Sequence, residues 1–288
     1  MSEIRHSLLL QAQRNEVTEY HVYRYLAQTA ADTEMRTVLA RIAEDELRHS
    51  QVISGITGQE VTASWLKVWF YTLVARVLGI TFGVRLMERG EDRAHELYSQ
   101  LADETPEMTS LAREEYEHEE SLIRLIDEER LRYVGAMVLG LNDALMELTG
   151  VLSGLTLALQ NTRLVGITGL ITGLAASLSM SASQYLSTKA DTQDQNPVRA
   201  AFYTGMAYVV TVVLLVTPYF VASNAFLALG WTLANALLII MGFTFYTSVA
   251  RNTQFLPRFV EMVLVSMGVA ALSFAIGYLV RHYFGIDV

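Results

Sequence analysis

The sequence predicts an all-α chain in two parts, a water-soluble four-helix bundle over residues 1–130 and five membrane-crossing helices over residues 131–288. Three observations carry that prediction. Charged residues crowd the chain before about Tyr133 and are rare after it, where Gly, Ala, Leu and Val dominate. In the first part apolar residues recur every three to four positions, the period of helices that bury one face. In the second part apolar runs of about 20 residues or more are long enough to cross the hydrocarbon layer.

Composition narrows the function classes. With 52% hydrophobic residues and a mean hydropathy of +0.29, the chain is too apolar for an ordinary soluble domain. The absence of cysteine excludes disulfides, thiolate metal sites and a rubredoxin-type centre, so any metal must be held by oxygen and nitrogen, with methionine the only sulfur. The net charge of −9 lies mainly in the first half, argues against nucleic-acid binding and suits attraction of cations. The first residues are polar and helix-like, without a short apolar core followed by small residues. No cleavable signal is therefore expected, and the first part is expected to stay in the cytoplasm. No catalytic residue and no organic-cofactor site is assigned.

The first helix, from Ser7 to about Ala31, has a seam of Leu9, Ala12, Glu16, Glu19, Tyr23 and Leu26. The second, roughly Asp32 to Ser54 and ended by Gly55 and Gly58, has Met35, Leu39, Ile42, Glu46, His49 and Ile53. The third begins in the apolar run Trp65–Val84 and turns charged after Arg85, with Val77, Val84, Glu88, Glu91, His95 and Tyr98 in register. That run approaches the length of a span, but Lys67 and Arg76 within it would each cost about 2.5–3.5 kcal/mol in lipid. It is predicted to lie instead against a partner copy or the membrane surface. The fourth helix starts at Thr105-Pro106 and carries Met108, Leu111, Glu115, His118, Leu122 and Leu125.

All four seams break the apolar rule near their middles. Unpaired buried carboxylates cost several kcal/mol each, so something positive must sit among them. One Glu-x-x-His on an acidic helix is ordinarily a solvated face. Two of them, Glu46 with His49 and Glu115 with His118, each in register and each preceded by a helix with an in-register acid, point to a metal site. The predicted ligands are Glu16, Glu46, His49, Glu88, Glu91, Glu115 and His118. Glu19 and His95 are kept as supporting or alternative ligands, and Glu44, Glu114, Glu117, Glu119 and Glu120 as a solvated acidic face. Oxygen ligands with two imidazoles suit Fe or Mn, with Fe favoured, as a di-iron site.

Single Glu residues from two helices with Glu-x-x-His from two others resemble the ferritin-like superfamily. The extra Glu91 and Glu16…Tyr23-Arg-Tyr25-Leu-Ala27 most resemble its rubrerythrin branch, over residues 5–130.

After Arg132 five spans are predicted, at about Tyr133–Leu159, Leu164–Ser187, Ala200–Val221, Phe226–Ala250 and Phe259–Val280. Arg130, Arg132, Lys189, Arg199, Arg251 and Arg258 fall on one side, with Arg163 and Arg281 on the other. This places the first part in the cytoplasm and the C-terminus outside. The first span holds Asp143 and Glu147 one turn apart with Met146 beside them, and acids at that depth are candidates for an ion path. Met180 lies among serines in the second span, where its thioether could join carboxylates in passing a borderline ion. Gly150-x-x-x-Gly154 and Gly169-x-x-x-Gly173 permit close helix contact. Asn235 in the fourth span has no evident partner.

Gly140-Leu-Asn-Asp143-Ala-Leu and Leu178-Ser-Met180-Ser-Ala-Ser-Gln resemble the vacuolar iron transporter family, which implies a five-span homodimer. The resemblance implies Asp143 and Met180 on an Fe(II) path with proton antiport. Plant and protist members carry a Glu-rich helical insert after the second span, whereas here only about ten residues, Lys189 to Arg199, are available. A rubrerythrin-like bundle joined to such a membrane domain resembles the bacterial membrane-bound ferritin family of iron exporters. The resemblance implies an inner-membrane protein moving Fe(II), or Mn(II), outward against protons. The alternative is a membrane-tethered di-iron ferroxidase whose spans act as anchor, and five spans with internal acids are more than an anchor needs.

Overall fold

In the computed structural model the regular structure of the described residues is entirely α-helical; these residues are 3–89, 106–124, 133–191, 195–251 and 253–284. The chain divides into two compact units, Met1–Glu128 and Glu129–Val288.

In the first unit α1 (Glu3–Thr29) packs along its length on α2 (Thr33–Thr57). Asp32 starts α2, its carboxylate accepting the Met35 N–H at 2.8 Å and satisfying a donor that the helix leaves open. Gly58, at φ 67, ends it; Gly55, expected to contribute to the stop, stays helical because the left-handed residue comes three positions later. Val22, Tyr23 and Leu26 of α1 meet Leu39 and Ile42 of α2 in the core. The seam residues Leu9, Ala12, Glu16, Glu19, Tyr23 and Leu26 are all buried.

The third helix departs from expectation. Instead of one rod there are α3 (Trp65–Leu78) and α4 (Ile80–Glu88), folded against each other across Gly79. Gly79 takes φ 107, which an L side chain rarely adopts, and Gly83 comes so close to Ala75 that a Cβ there has no room. The register across the break is lost: Val84 is buried, whereas Val77 is 60% exposed. Helix α3 buries Val68 and Ala75 and exposes Trp65, Leu66, Trp69, Phe70 and Leu73. With α5 (Pro106–Arg124), which begins at the expected proline and packs on α2, the described residues of this unit form five helices where four were expected.

Among its described residues the second unit holds five helices long and apolar enough to cross a membrane: α6 (Val134–Leu159), α7 (Thr162–Ala190), α8 (Pro197–Val221), α9 (Ala225–Ala250) and α10 (Phe255–Phe284). Asn161, Asn196 and Asn224 start α7, α8 and α9 by accepting backbone N–H groups of the first turn. Helix α6 is the hub, packed against each of the other four. Half of its most apolar stretch is buried inside the unit, against 17% for α10, which leaves α10 the least enclosed of the five. Small residues allow this crowding. Gly150 and Gly154 of α6 abut Ser273 of α10, Gly169 and Gly173 of α7 abut Leu152 and Val212, and Gly140 abuts the Thr204 backbone of α8.

Candidate metal centre

Helices α1, α2 and α5 bring five of the expected ligands together. Glu16, Glu46, His49, Glu115 and His118 are all buried, with His49 fully enclosed. One ligand atom each from Glu16, Glu46, His49 and Glu115 lies within 4.8 Å of the others. His49 Nδ1 stands 2.9 Å from Glu115 Oε1 and 3.5 Å from both Glu16 Oε2 and Glu46 Oε2. His118 Nδ1 stands 3.2 Å from Glu46 Oε1 and 3.9 Å from Glu115 Oε2. The two imidazoles stack with centroids 5.7 Å apart.

Proximity here is not hydrogen bonding. Among the described residues, Glu46 Oε2, Glu115 Oε1 and both Nδ1 atoms are buried without a hydrogen-bond partner. Such groups are expensive to leave unsatisfied. Burial, then the Glu115 and Glu16 carboxylates, push the Glu46 carboxyl well above the usual range. Burial alone would lower His49, but Glu115, Glu16 and Glu46 outweigh it and raise it strongly. The cluster therefore retains protons wherever no other cation balances it. Glu16, Glu46, His49 and Glu115 could hold a metal ion, and carboxylate oxygens with imidazole nitrogens are donors that divalent metals accept.

The outer face of the centre was not legible as such. His49 Nε2 meets Glu114 Oε2 at 2.9 Å and His118 Nε2 meets Asp45 Oδ2 at 3.1 Å. Arg48 bridges both carboxylates, at 2.5 Å to Asp45 and 2.8 Å to Glu114. Burial would raise Asp45 and Glu114, but Arg48 and the facing histidine outweigh it and hold both below the ordinary carboxylate range. A carboxylate on the far nitrogen fixes ring orientation and leaves Nδ1 free to ligate. Glu114, expected on a solvated face, is thus a histidine partner. The pattern is crosswise: the acid just before each Glu-x-x-His holds the histidine of the other helix, and that repeated acid is the signal in the sequence. Glu19 is buried on α1. Glu91, His95 and the side chains of Glu88, Glu119 and Glu120 lie outside the described residues.

In the second unit Asp143 and Glu147 are partly buried on α6, one turn apart. Tyr208 of α8, fully buried, donates its hydroxyl to Glu147 Oε2 at 2.5 Å. Met146 is partly buried, and Met180 packs on the apolar core of this unit. Asn235 has a partner after all, donating from Nδ2 to the Leu214 carbonyl at 2.9 Å.

Residues 134–195 match the VIT family. The match takes in all of α6 and α7, and with five apolar helices it supports a vacuolar iron transporter-like membrane domain for the second unit. Comparison with curated proteins and with solved structures finds no match. The residues of the N-terminal cluster precede the VIT-matched segment, so their assignment rests on geometry alone.

Proposed function

We propose that the chain exports Fe(II), with Mn(II) as a second substrate, from the cytoplasm of a prokaryotic cell across the inner membrane in exchange for protons, and works as a homodimer. The observation that carries this is the placement of two carboxylates, Asp143 and Glu147, on the most enclosed of five spans, inside the VIT-matched segment. Charges in lipid are retained where an ion path uses them. Asp143, with Met146 and Met180 as softer neighbours, would exchange a proton for the metal, since a carboxylate must lose its proton to ligate. The N-terminal cluster would be a ferritin-like di-metal centre in the cytoplasm that captures or senses the metal, with Glu88 and Glu91 completing it.

A second reading is favoured by one observation: Glu16, Glu46, His49 and Glu115 gather within the first unit alone. The chain would then be a tethered ferroxidase, the carboxylates and imidazoles holding iron whose redox chemistry uses oxygen. Proteoliposomes with a pH gradient separate the two. Fe(II) and Mn(II) flux that is lost in Asp143→Asn and kept in Glu46→Ala supports the transporter with a regulatory cluster. Equal metal movement in wild type and both variants, with iron-dependent oxygen uptake lost only in Glu46→Ala, supports the tethered enzyme.

A further inference from the structure

The hydroxyl of Tyr208 is the feature of the second unit that neither packing nor the family match accounts for. A buried phenol must place its O–H. It has done so on a carboxylate oxygen of another helix, at 2.5 Å. Helices α6 and α8 do not need this bond to find each other. Gly140 already seats on the Thr204 backbone, Thr204 Oγ1 donates to the Ala136 carbonyl at 3.0 Å, and Thr156 Oγ1 and Tyr219 Oη share a bond of 2.6 Å further along the pair. Register is thus set on both sides of Glu147. What the bond adds is the fixing of one Glu147 oxygen.

We propose that Tyr208 is a positioning residue for cation passage. Its hydroxyl commits Oε2 of Glu147, turning the remaining oxygen to serve with Asp143 one turn away on the same helix. This rests on the transporter reading above. It deepens that reading by naming a residue on another span that sets the affinity of the ion path. A carboxylate held in one rotamer binds a passing ion without first giving up rotamer freedom. Removing the hydroxyl should therefore weaken entry of the ion more than it slows turnover.

The test is Mn(II) flux into proteoliposomes as a function of Mn(II) concentration, with thermal unfolding of each purified variant alongside. Tyr208→Phe keeps the ring and removes the oxygen; its KM should rise about tenfold, as for loss of a group that orients a metal ligand, with maximal flux within about twofold. Tyr219→Phe removes the comparable hydroxyl bond between the same two helices and should lower the unfolding temperature without moving KM. In a Glu147→Ala background Tyr208→Phe should change KM no further, because the group it acts through is gone. An unchanged KM in Tyr208→Phe, an equal shift in Tyr219→Phe, or a full shift persisting in Glu147→Ala would overturn the proposal while leaving the transporter reading in place. Absence of wild-type flux would overturn both.

Discussion

The two units bury acid in different arrangements. In the first, three carboxylates and two histidines converge on one place, and Asp45, Glu114 and Arg48 brace the histidines from outside. In the second, two carboxylates stand a turn apart, one of them held by a tyrosine. Many converging charged ligands make a site that retains a cation. A sparse pair makes one that an ion can enter and leave, as conduction requires. The difference teaches that buried acid is not one signal: on the function proposed above, the number of ligands, and what braces them, would separate holding from passing.

The comparison breaks most visibly at Asp143. Its replacement by Asn should cut metal flux by about tenfold or more, the size of one lost charged contact, while metal bound per chain at the first unit stays unchanged. Loss of both together would merge the two roles into one. Replacing His49 by Ala should do the reverse, abolishing tight Mn(II) binding in equilibrium dialysis of the full chain without abolishing flux. A smaller effect is expected outside the ligand sphere: Asp45→Asn and Glu114→Gln should each weaken Mn(II) binding by about tenfold, measured in the same dialysis. Equal binding in those two variants would return Glu114 to the solvated face and leave Asp45 without a part in the centre.

Acidity sharpens the contrast further. Glu46 and His49 both have raised pKa values, so without metal their contribution to stability is greatest at low pH and declines as pH rises above 4.5 and 6.5, their ordinary values. Asp45 and Glu114 are held low and stay ionised near neutrality, so they add no slope there. Metal binding must displace the retained protons. Between pH 6 and pH 8 the cluster's contribution to stability should therefore fall in metal-free protein, while the rise in unfolding temperature on adding Mn(II) should grow. A metal effect independent of pH would contradict this. The smallest effect is local to the helix break: Gly79→Ala forces a side chain into φ 107 and should cost about 1–3 kcal/mol of stability, read from denaturant unfolding.

Much of the buried cluster was legible because burial imposes a period. Glu16, Glu46, His49, Glu115 and His118 stand where apolar residues belong, and a seam that admits acids at matching heights has few physical explanations. The spans were legible for a similar reason: length and apolarity are properties of a single segment, and α6 to α10 fall close to the expected bounds. Other features depend on partners remote in sequence. A glycine inside an apolar run is compatible with an unbroken helix, so nothing local announces that Gly79 turns α3 back on α4. Glu114 looks like any solvated acid until α2 brings His49 to it. Tyr208 looks like an ordinary span residue until α8 sets it beside Glu147. Chemistry held by the register of one helix can be read from the chain, whereas chemistry made by two helices meeting cannot.

The most direct test is anomalous diffraction at the manganese edge from crystals of the full chain equilibrated with Mn(II). A strong peak among Glu16, Glu46, His49 and Glu115, with a weaker peak beside Asp143 and Glu147 that vanishes in Asp143→Asn, is the predicted result. Saturating Mn(II) with no anomalous density at either cluster would contradict the account.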